Sequence, residues 1–149
     1  MKPFNECRVR FPSLSANEAY ARAVVSAFVS QCDPTLPDLN DLRTAVSEAV
    51  TNCIVHAYRD CIGEIMLHMR LYENGLVRVS IRDRGCGIAD VQKAREPLFT
   101  TGGEERSGLG FSVMESFSDR LRVHSRLGKG TTVTLEKQLS EKTTDGGHS

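Results

Sequence analysis

The feature that most constrains the fold of this chain is a long amphipathic segment, which predicts a helix from Asp38, its expected cap, to about Tyr58. At about 100° per residue its apolar side chains share one face, and Glu48, Asn52 and His56 follow one another along the flank of that face. The helix must therefore bury its apolar face, which leaves the polar flank at the edge of the core. The apolar face comprises Leu39, Leu42, Val46, Ala49, Val50, Cys53 and Ala57.

The polar flank of this helix has two interpretations. Glu48 and Asn52 stand one turn apart, where a carboxylate can act as a general base and a carboxamide can offer an oxygen ligand to Mg²⁺. The simpler alternative is that both are polar side chains at the rim of a buried stripe. For His56 we find no role beyond packing near the helix end. The helix alone leaves both interpretations open.

The composition of the chain argues for one compact domain. Its 149 residues suit a single domain, expected over residues 1–139, followed by a small, polar and disordered tail over residues 140–149. Basic and acidic side chains number 19 each, which argues against direct binding of nucleic acid or of an acidic membrane through net charge. The N-terminus has no apolar run and no stretch of 18 apolar residues occurs, so we expect a cytoplasmic protein without a signal peptide.

The five cysteines are scattered and include no C-x-x-C pair, which argues against a structural zinc site or a disulfide framework. Reduced thiols that pack as small hydrophobic residues suit a cytoplasmic protein. Cys86 differs from the others because it lies between two glycines in a predicted loop.

The segment that precedes the long helix predicts a strand and a first helix. The strand covers about residues 7–11, and the helix covers about residues 16–30 after a capping box formed by Ser15 and Glu18. Arg22 is expected on the solvent face of this helix, one turn after Glu18. An ion pair between the two is the ordinary role of such an arginine.

After the long helix, alternating apolar residues on both sides of Asn74-Gly75 predict a β-hairpin with a type I′ turn. In the second strand, the alternation sends Asp83 to the same side as three apolar residues. A carboxylate that faces the core needs a partner, because an unpaired buried charge is costly. Gly85 and Gly87 follow, and backbone without a Cβ atom lets a ligand approach closely. The alternative is a strand-end aspartate that caps a glycine turn.

The segment 88–107 is irregular apart from a short helical piece near residues 90–95, and loops of this length are usually lids or binding loops. A third helix is expected to open at Gly108 and Gly110. Free N–H groups at a helix start suit a phosphate. Two more strands are predicted, around residues 121–125 and 131–137.

Taken together, these features predict an ATP site. Asp83 can accept the exocyclic amine of adenine, Asn52 can hold Mg²⁺ on the phosphates, and the glycine-rich helix start can bind the terminal phosphate under the lid. The chain contains no Walker sequence and no protein-kinase signatures.

The order of these motifs resembles the Bergerat-fold ATP-binding superfamily of gyrase, the Hsp90 chaperones, histidine kinases and MutL. The resemblance covers about residues 4–139. The N box and the three glycine boxes of that superfamily correspond to residues 47–58, 81–88, 108–111 and 128–131. More particularly, the stretches 96–101, 105–111 and 114–119 look like the anti-sigma F factors of spore-forming bacteria. Two positions depart from the family pattern: Ala57 stands where glycine is frequent, and Cys86 occupies a variable position.

This resemblance implies a two-layer α+β sandwich, in which a mixed, mostly antiparallel sheet carries helices on one face. ATP or ADP with Mg²⁺ would bind between the helices and the lid. Glu48 would be the catalytic base, Asn52 the Mg²⁺ ligand and Asp83 the residue that reads adenine. Arg106 would reach toward the γ-phosphate or the partner, and Arg22 would contact a sigma factor. The other implied nucleotide-binding residues are Gly85, Gly87, Thr100, Thr101, Ser107, Gly108, Leu109, Gly110 and Thr131.

The function implied by the resemblance is a switch with two outputs. The protein would bind and silence the sporulation sigma factor F, and as a serine kinase it would phosphorylate the anti-anti-sigma partner. The family also implies a homodimer. Alternatives are the anti-sigma kinase of the general stress response, a plain ATPase of the gyrase or MutL kind, the catalytic half of a histidine kinase, and a binding module without catalysis. Glu48 argues against the last, and a histidine kinase usually has asparagine at this position.

Overall fold

The fold is known from a computed structural model, which describes residues 1–88, 90–95 and 105–141, with the backbone alone for residues 105–109. The strands are β1 (Asn5–Pro12), β2 (Glu64–Leu71), β3 (Leu76–Asp83), β4 (Arg120–Arg126) and β5 (Gly130–Gln138). The helices are α1 (Asn17–Val29), α2 (Leu36–Asn52), α3 (Val91–Ala94) and α4 (Glu105–Ser116). A short 3₁₀ turn (Ser30–Cys32) follows α1, and a π-turn (Cys53–Ala57) follows α2.

The strands described by the structure form one sheet in the order β1-β2-β3-β5-β4. The helices pack on one face of this sheet, so the predicted α+β sandwich is confirmed. One detail differs from the prediction, because all four strand pairings among the described residues are antiparallel rather than mixed. Neighbouring strands β2 and β3 come from the predicted hairpin, and β5 inserts between β3 and the edge strand β4.

The hydrophobic core lies between the sheet and α2. It is formed by every second residue of the strands and by the apolar stripe of α2. On β2 and β3, the inward residues are at most 1% exposed, and the buried stripe of α2 packs against them. This arrangement confirms the predicted core faces and places Asp83, the last residue of β3, beneath the end of α2. The inward strand residues are Ile65, Leu67, Met69, Leu71, Val77, Val79 and Ile81, and those of α2 are Leu42, Val46, Ala49 and Val50.

The predicted caps of both long helices are wrong. Ala16 occupies the N-cap position of α1, and its methyl group cannot form a capping bond. The Glu18 carboxylate of the expected capping box is bound instead by Arg22 and Ser47. Thr35 caps α2, and its Oγ1 accepts the N–H of Asp38 at 3.3 Å.

The carboxylate of Asp38 has a different role, which connects the start of α2 to the end of β5. Its Oδ2 accepts the N–H of Ser140 at 2.7 Å, and Lys137 Nζ lies 3.8 Å from Oδ1. Burial alone would raise the pKa of Asp38, but the Ser140 hydrogen bonds and the Lys137 charge lower it below its usual value. Residues 142–149, most of the predicted tail, lie outside the described residues.

The β2–β3 hairpin does not have the expected type I′ turn. Of its turn residues only Gly75 has a positive φ, +87°, whereas a type I′ turn requires two such residues. The N–H of Gly75 donates to the carbonyl of Tyr72 at 3.0 Å, and Tyr72 N donates to Leu76 at 3.0 Å. These bonds are typical of a type I turn with a glycine bulge.

No helix in the described part of the chain combines the length and the apolar character that crossing a bilayer requires.

Candidate functional site

The end of α2 differs from the regular helix that the sequence predicts. After Asn52 the chain makes a π-turn, in which the N–H of Tyr58 donates to the carbonyl of Cys53 at 3.0 Å. Such turns contain one residue more than an α-helical turn and are frequent at functional sites. This turn presents the carbonyl of Ala57 to the loop after β3, where it accepts the N–H of Cys86 at 3.3 Å.

The loop after β3 is held against this π-turn by a close contact and by a tyrosine. A Cβ atom at Gly85 would overlap the Ala57 carbonyl, so only glycine lets the two segments approach. The buried hydroxyl of Tyr58 donates to the carbonyl of Glu64 at 2.7 Å and accepts the N–H of Arg84 at 2.6 Å. The conformation of the glycine loop is therefore fixed from the side of the helix.

Asp83 faces inward as predicted and is 6% exposed. Its Oδ1 accepts two backbone N–H groups, from Gly85 at 2.9 Å and from Thr131 at 3.2 Å. Its Oδ2 accepts a hydrogen bond from the thiol of Cys53, with the sulfur 3.4 Å away. Three donors compensate the burial of this carboxylate.

Asp83 lies in the wall of a pocket between α2, the glycine loop, α4 and β5, with a volume of about 60 Å³. Apolar side chains supply most of the lining, and the polar groups are few. A mostly apolar lining with a few polar groups is the composition of small-molecule sites, whereas this volume is well below that of such sites, about 300–1,000 Å³. The lining residues are Ala49, Asn52, Cys53, His56, Ala57, Asp83, Cys86, Gly87, Ile88, Phe111, Thr131 and Val133.

Glu48 and Asn52 lie one turn apart on α2, and both are half-buried. Within the described residues, no hydrogen bond or ion pair engages the Glu48 carboxylate. Burial first, and then the negative charge of Glu18, raise the pKa of Glu48 above its usual value. A carboxylate whose pKa is raised, and whose oxygens have no partner among the described residues, has the properties of a general base.

Gly110 packs directly against Asn52. A Cβ atom at Gly110 would stand 2.9 Å from Asn52 Oδ1 and 3.1 Å from Nδ2, closer than ordinary contacts allow. Among the described residues the Asn52 carboxamide has no hydrogen-bond partner. The Asn52 oxygen is therefore available as one ligand to a hard cation. Among the described residues, no cluster of three or more His, Cys, Asp or Glu side chains is arranged to hold a metal ion.

The start of α4 corrects one prediction. The described helix already includes Glu105, so Gly108 and Gly110 lie within it rather than at its opening. The N–H groups of a helix that lack internal partners are those of the N-cap residue and the first three helical residues, and Gly108 is the fourth described residue of α4. The available N–H groups therefore precede Gly108, and Gly110 contributes through its closeness to Asn52.

The other predicted site residues are distributed as follows. Gly87 and Thr131 line the pocket beside Asp83, and Gly85 donates to Asp83. Arg22 lies away from these groups on α1, where its Nε donates to Glu18 Oε2 at 2.5 Å, the ordinary ion pair. Thr100 and Thr101 lie outside the described residues, as do the side chains of Arg106, Ser107 and Leu109.

Two residues of the site were not predicted from the sequence. Cys53 was assigned only to the apolar face of α2, yet its thiol contacts Asp83. Ser125 connects the glycine loop to β5, because its Oγ accepts the N–H of Ile88 at 2.7 Å and lies 2.8 Å from Thr131 Oγ1. The inward alternation of β4 was the one signal that pointed to Ser125.

Comparison with known proteins defines the class of this fold. Residues 11–137 match the histidine kinase-like ATPase domain. The RsbU and RsbW domains of a Mycobacterium tuberculosis protein superpose with a TM-score of 0.71 at 23% identity, over 95% of this chain and 34% of that longer one. The histidine kinase domain of a blue-light activated kinase from Erythrobacter litoralis superposes with a TM-score of 0.57 at 20% identity, over 82% of this chain and 60% of its own.

Curated relatives narrow the class further. A protein named anti-sigma F factor from Geobacillus sp. (strain WCH70) is 48% identical over 92% of this chain and 94% of its own length. Another of that name, from Pasteuria penetrans, is 49% identical over 91% of both chains. The chain therefore belongs to the histidine kinase-like ATPase domain family and, within it, to the family of the anti-sigma F factors.

Proposed function

We propose that the protein is an ATP-dependent anti-sigma factor that binds and inhibits a sporulation sigma factor of the F type and phosphorylates a serine of its anti-anti-sigma partner. The observation that carries this proposal is the half-buried Glu48 carboxylate, free among the described residues and one turn before Asn52. Both belong to the helix that walls the Asp83 pocket. The names of the curated relatives support the sigma-factor part of the proposal.

The pocket residues would bind the nucleotide and position it. Oδ1 of Asp83 accepts two backbone N–H groups and Oδ2 accepts only the Cys53 thiol, so Oδ2 keeps a lone pair that can accept an adenine amine. The Asn52 oxygen would hold Mg²⁺, which neutralises phosphate charge when it is bound. Gly85, Gly87 and Thr131 shape this end of the pocket.

The chemical step requires positioning and one proton acceptor. Glu48 would accept the proton of the substrate serine, and its raised pKa suits that role. Arg106 and the backbone N–H groups of α4 that precede Gly108 would stabilise charge on the transferred phosphoryl group. Thr100, Thr101 and Leu109 would contribute to nucleotide binding, and Gly110 leaves space for the Asn52 side chain.

The sigma-factor contact is assigned to Arg22 on α1, whose side chain is 38% exposed in its ion pair with Glu18. This surface lies outside the nucleotide pocket, so partner binding and phosphoryl transfer can use different parts of the protein. We further propose a cytoplasmic homodimer.

The proposal is tested by incubating the protein with ATP labelled on its γ-phosphate and candidate anti-anti-sigma proteins. Transfer of label to a serine of one candidate supports the kinase assignment. Release of labelled inorganic phosphate without transfer would make the protein a plain ATPase, and absence of both would contradict Glu48 as a base. The sigma part is tested by pull-down with sporulation and general-stress sigma factors, with and without ATP.

A further inference from the structure

The thiol of Cys53 lies in the pocket wall, directly beside the Asp83 carboxylate. Cys53 is the first residue of the π-turn, and only 4% of its surface is exposed. Its sulfur lies 3.4 Å from Asp83 Oδ2, and both residues line the same pocket. Cys53 also follows Asn52 directly, so the helix end places an amide and a thiol side by side.

The thiol in this position carries its hydrogen. The sulfur lies 3.4 Å from Asp83 Oδ2, a contact that needs a hydrogen between the two atoms. A thiol that stays protonated can donate, and the carboxylate oxygen beside it can only accept. The contact is therefore an S–H···O hydrogen bond.

The two oxygens of Asp83 are restrained by different groups. Oδ1 is held by backbone N–H groups of Gly85 and Thr131, which no side-chain substitution there would remove. Among the described residues, Cys53 is the hydrogen-bond donor to Oδ2. The terminal torsion of an aspartate, χ2, has a broad energy minimum, so the carboxylate plane can rotate. The Cys53 hydrogen bond therefore helps to set the direction of the second lone pair of Oδ2.

We propose that Cys53 is a positioning residue that orients Oδ2 of Asp83 toward the pocket and thereby strengthens its preference for a 6-amino over a 6-oxo purine nucleotide. The inference rests on the proposed binding of adenine nucleotides. A 6-amino group donates a hydrogen to Oδ2, whereas a 6-oxo group presents a second acceptor to it and is repelled. This preference depends on the carboxylate plane, and Cys53 helps to fix that plane.

The test compares the dissociation constants of ADP and inosine diphosphate for the full chain, measured by calorimetry with Mg²⁺. The ratio of the two constants is the readout, because a general loss of stability weakens both nucleotides alike. In Cys53→Ala we expect the preference for ADP to fall by about five- to tenfold, the size of one ordinary net hydrogen bond. Cys53→Ser keeps a donor and should hold the ratio within about twofold of the unaltered chain.

Val50→Ala serves as the matched control, since Val50 is fully buried on the same helix and does not line the pocket. Val50→Ala should lower the stability of the protein without changing the ratio of the two dissociation constants. If Cys53→Ala does not fold, Cys53→Val replaces it, because valine fills the space without a donor. An unchanged ratio in the donor-free variant overturns the inference while nucleotide binding stands. Absence of binding to both nucleotides in the unaltered chain overturns the proposed function as well.

Discussion

Ser47 Oγ donates a hydrogen bond to Glu18 Oε2 at 2.5 Å, and Arg22 Nε donates to the same oxygen at the same distance. The Ser47 bond joins α2 to α1 at the residue that precedes Glu48, and the Arg22 bond lies within α1. Glu18 also acts on Glu48, because burial first and then the negative charge of Glu18 raise the pKa of the Glu48 carboxyl group. The proposed partner-binding arginine and the proposed base therefore share one neighbour, Glu18.

Glu48→Gln should stabilise the fold at neutral pH. Because the pKa of Glu48 is raised in the folded state, that state holds its proton to a higher pH than the unfolded chain does. Stability is therefore lost as the pH rises from the unfolded pKa, near 4.5, through the raised folded pKa. Glutamine has no such loss, so urea unfolding should show a gain for the variant at pH 7 that disappears near pH 4. A gain that is equal at both pH values would contradict the assignment.

The same variant should lose phosphoryl transfer while it still binds nucleotide. General bases typically contribute about 10²- to 10⁴-fold to a rate, so a loss within that range is expected from the transfer assay. In the unaltered protein, the rate should fall as the pH drops through the raised pKa of Glu48. Normal transfer by Glu48→Gln with intact ATP affinity would remove Glu48 from the mechanism.

Arg22→Glu should abolish binding of the sigma factor and leave ATP hydrolysis or transfer largely intact. The change removes a positive charge from the exposed face of α1 and places a second carboxylate beside Glu18. Arg22→Gln is the matched control, because it removes the ion pair without adding a negative charge. Surface ion pairs contribute about 0–1 kcal/mol, so neither variant should unfold. If Arg22→Glu still binds the sigma factor normally in a pull-down, the only role left for Arg22 is its ion pair with Glu18.

Gly110→Ala should weaken Mg²⁺-dependent nucleotide binding without unfolding the protein. The added methyl group would stand 2.9 Å from Asn52 Oδ1 and must displace the carboxamide. Alanine within a helix is favoured over glycine by about 1 kcal/mol, which offsets part of the strain. We expect the ADP dissociation constant to rise by at least about tenfold with Mg²⁺, or about 1.4 kcal/mol, and by less without it. Ser112→Ala on the same helix is the control, and equal losses with and without Mg²⁺ would argue against Asn52 as a ligand.

Tyr58→Phe should destabilise the protein by about 1–3 kcal/mol, the cost of leaving buried polar groups without partners. The hydroxyl joins the carbonyl of Glu64 to the N–H of Arg84, and Tyr58 is 7% exposed. Tyr20→Phe is a suitable control, because Tyr20 is 48% exposed and its substitution should change the free energy of unfolding by less than about 0.5 kcal/mol. Urea denaturation measures both, and similar values would show that the Tyr58 bridge contributes little.

Helices and strands that follow from a local hydrophobic periodicity could be predicted from the sequence. Contacts between distant segments could not. The core face of α2, the hairpin strands and the inward Asp83 follow from helical and strand periodicity, and all are present in the structure. The predicted caps at Ser15 and Asp38 were wrong because the two carboxylates involved have other partners. Glu18 is bound by Ser47 and Arg22, and Asp38 is bound by Ser140.

The candidate site divides in the same way. Glu48, Asn52 and Asp83 were predicted because each stands out against an apolar pattern. Cys53 was missed because a thiol on an apolar face looks like packing until the neighbouring strand places a carboxylate beside it. The π-turn was missed because no composition signal distinguishes it from a continuing α-helix.

The π-turn has a consequence for exchanging parts between related proteins. It holds one residue more than an α-helical turn, so loss of any residue from Cys53–Ala57 would rotate Tyr58 by about 100° about the helix axis. The Ala57 carbonyl would then leave the Cβ-free space at Gly85, and the Tyr58 hydroxyl would leave Arg84. A chimera should therefore take the end of α2 and the loop 84–87 from the same parent. A crossover between these two segments would place a π-turn from one parent against a glycine loop that is fitted to the other parent.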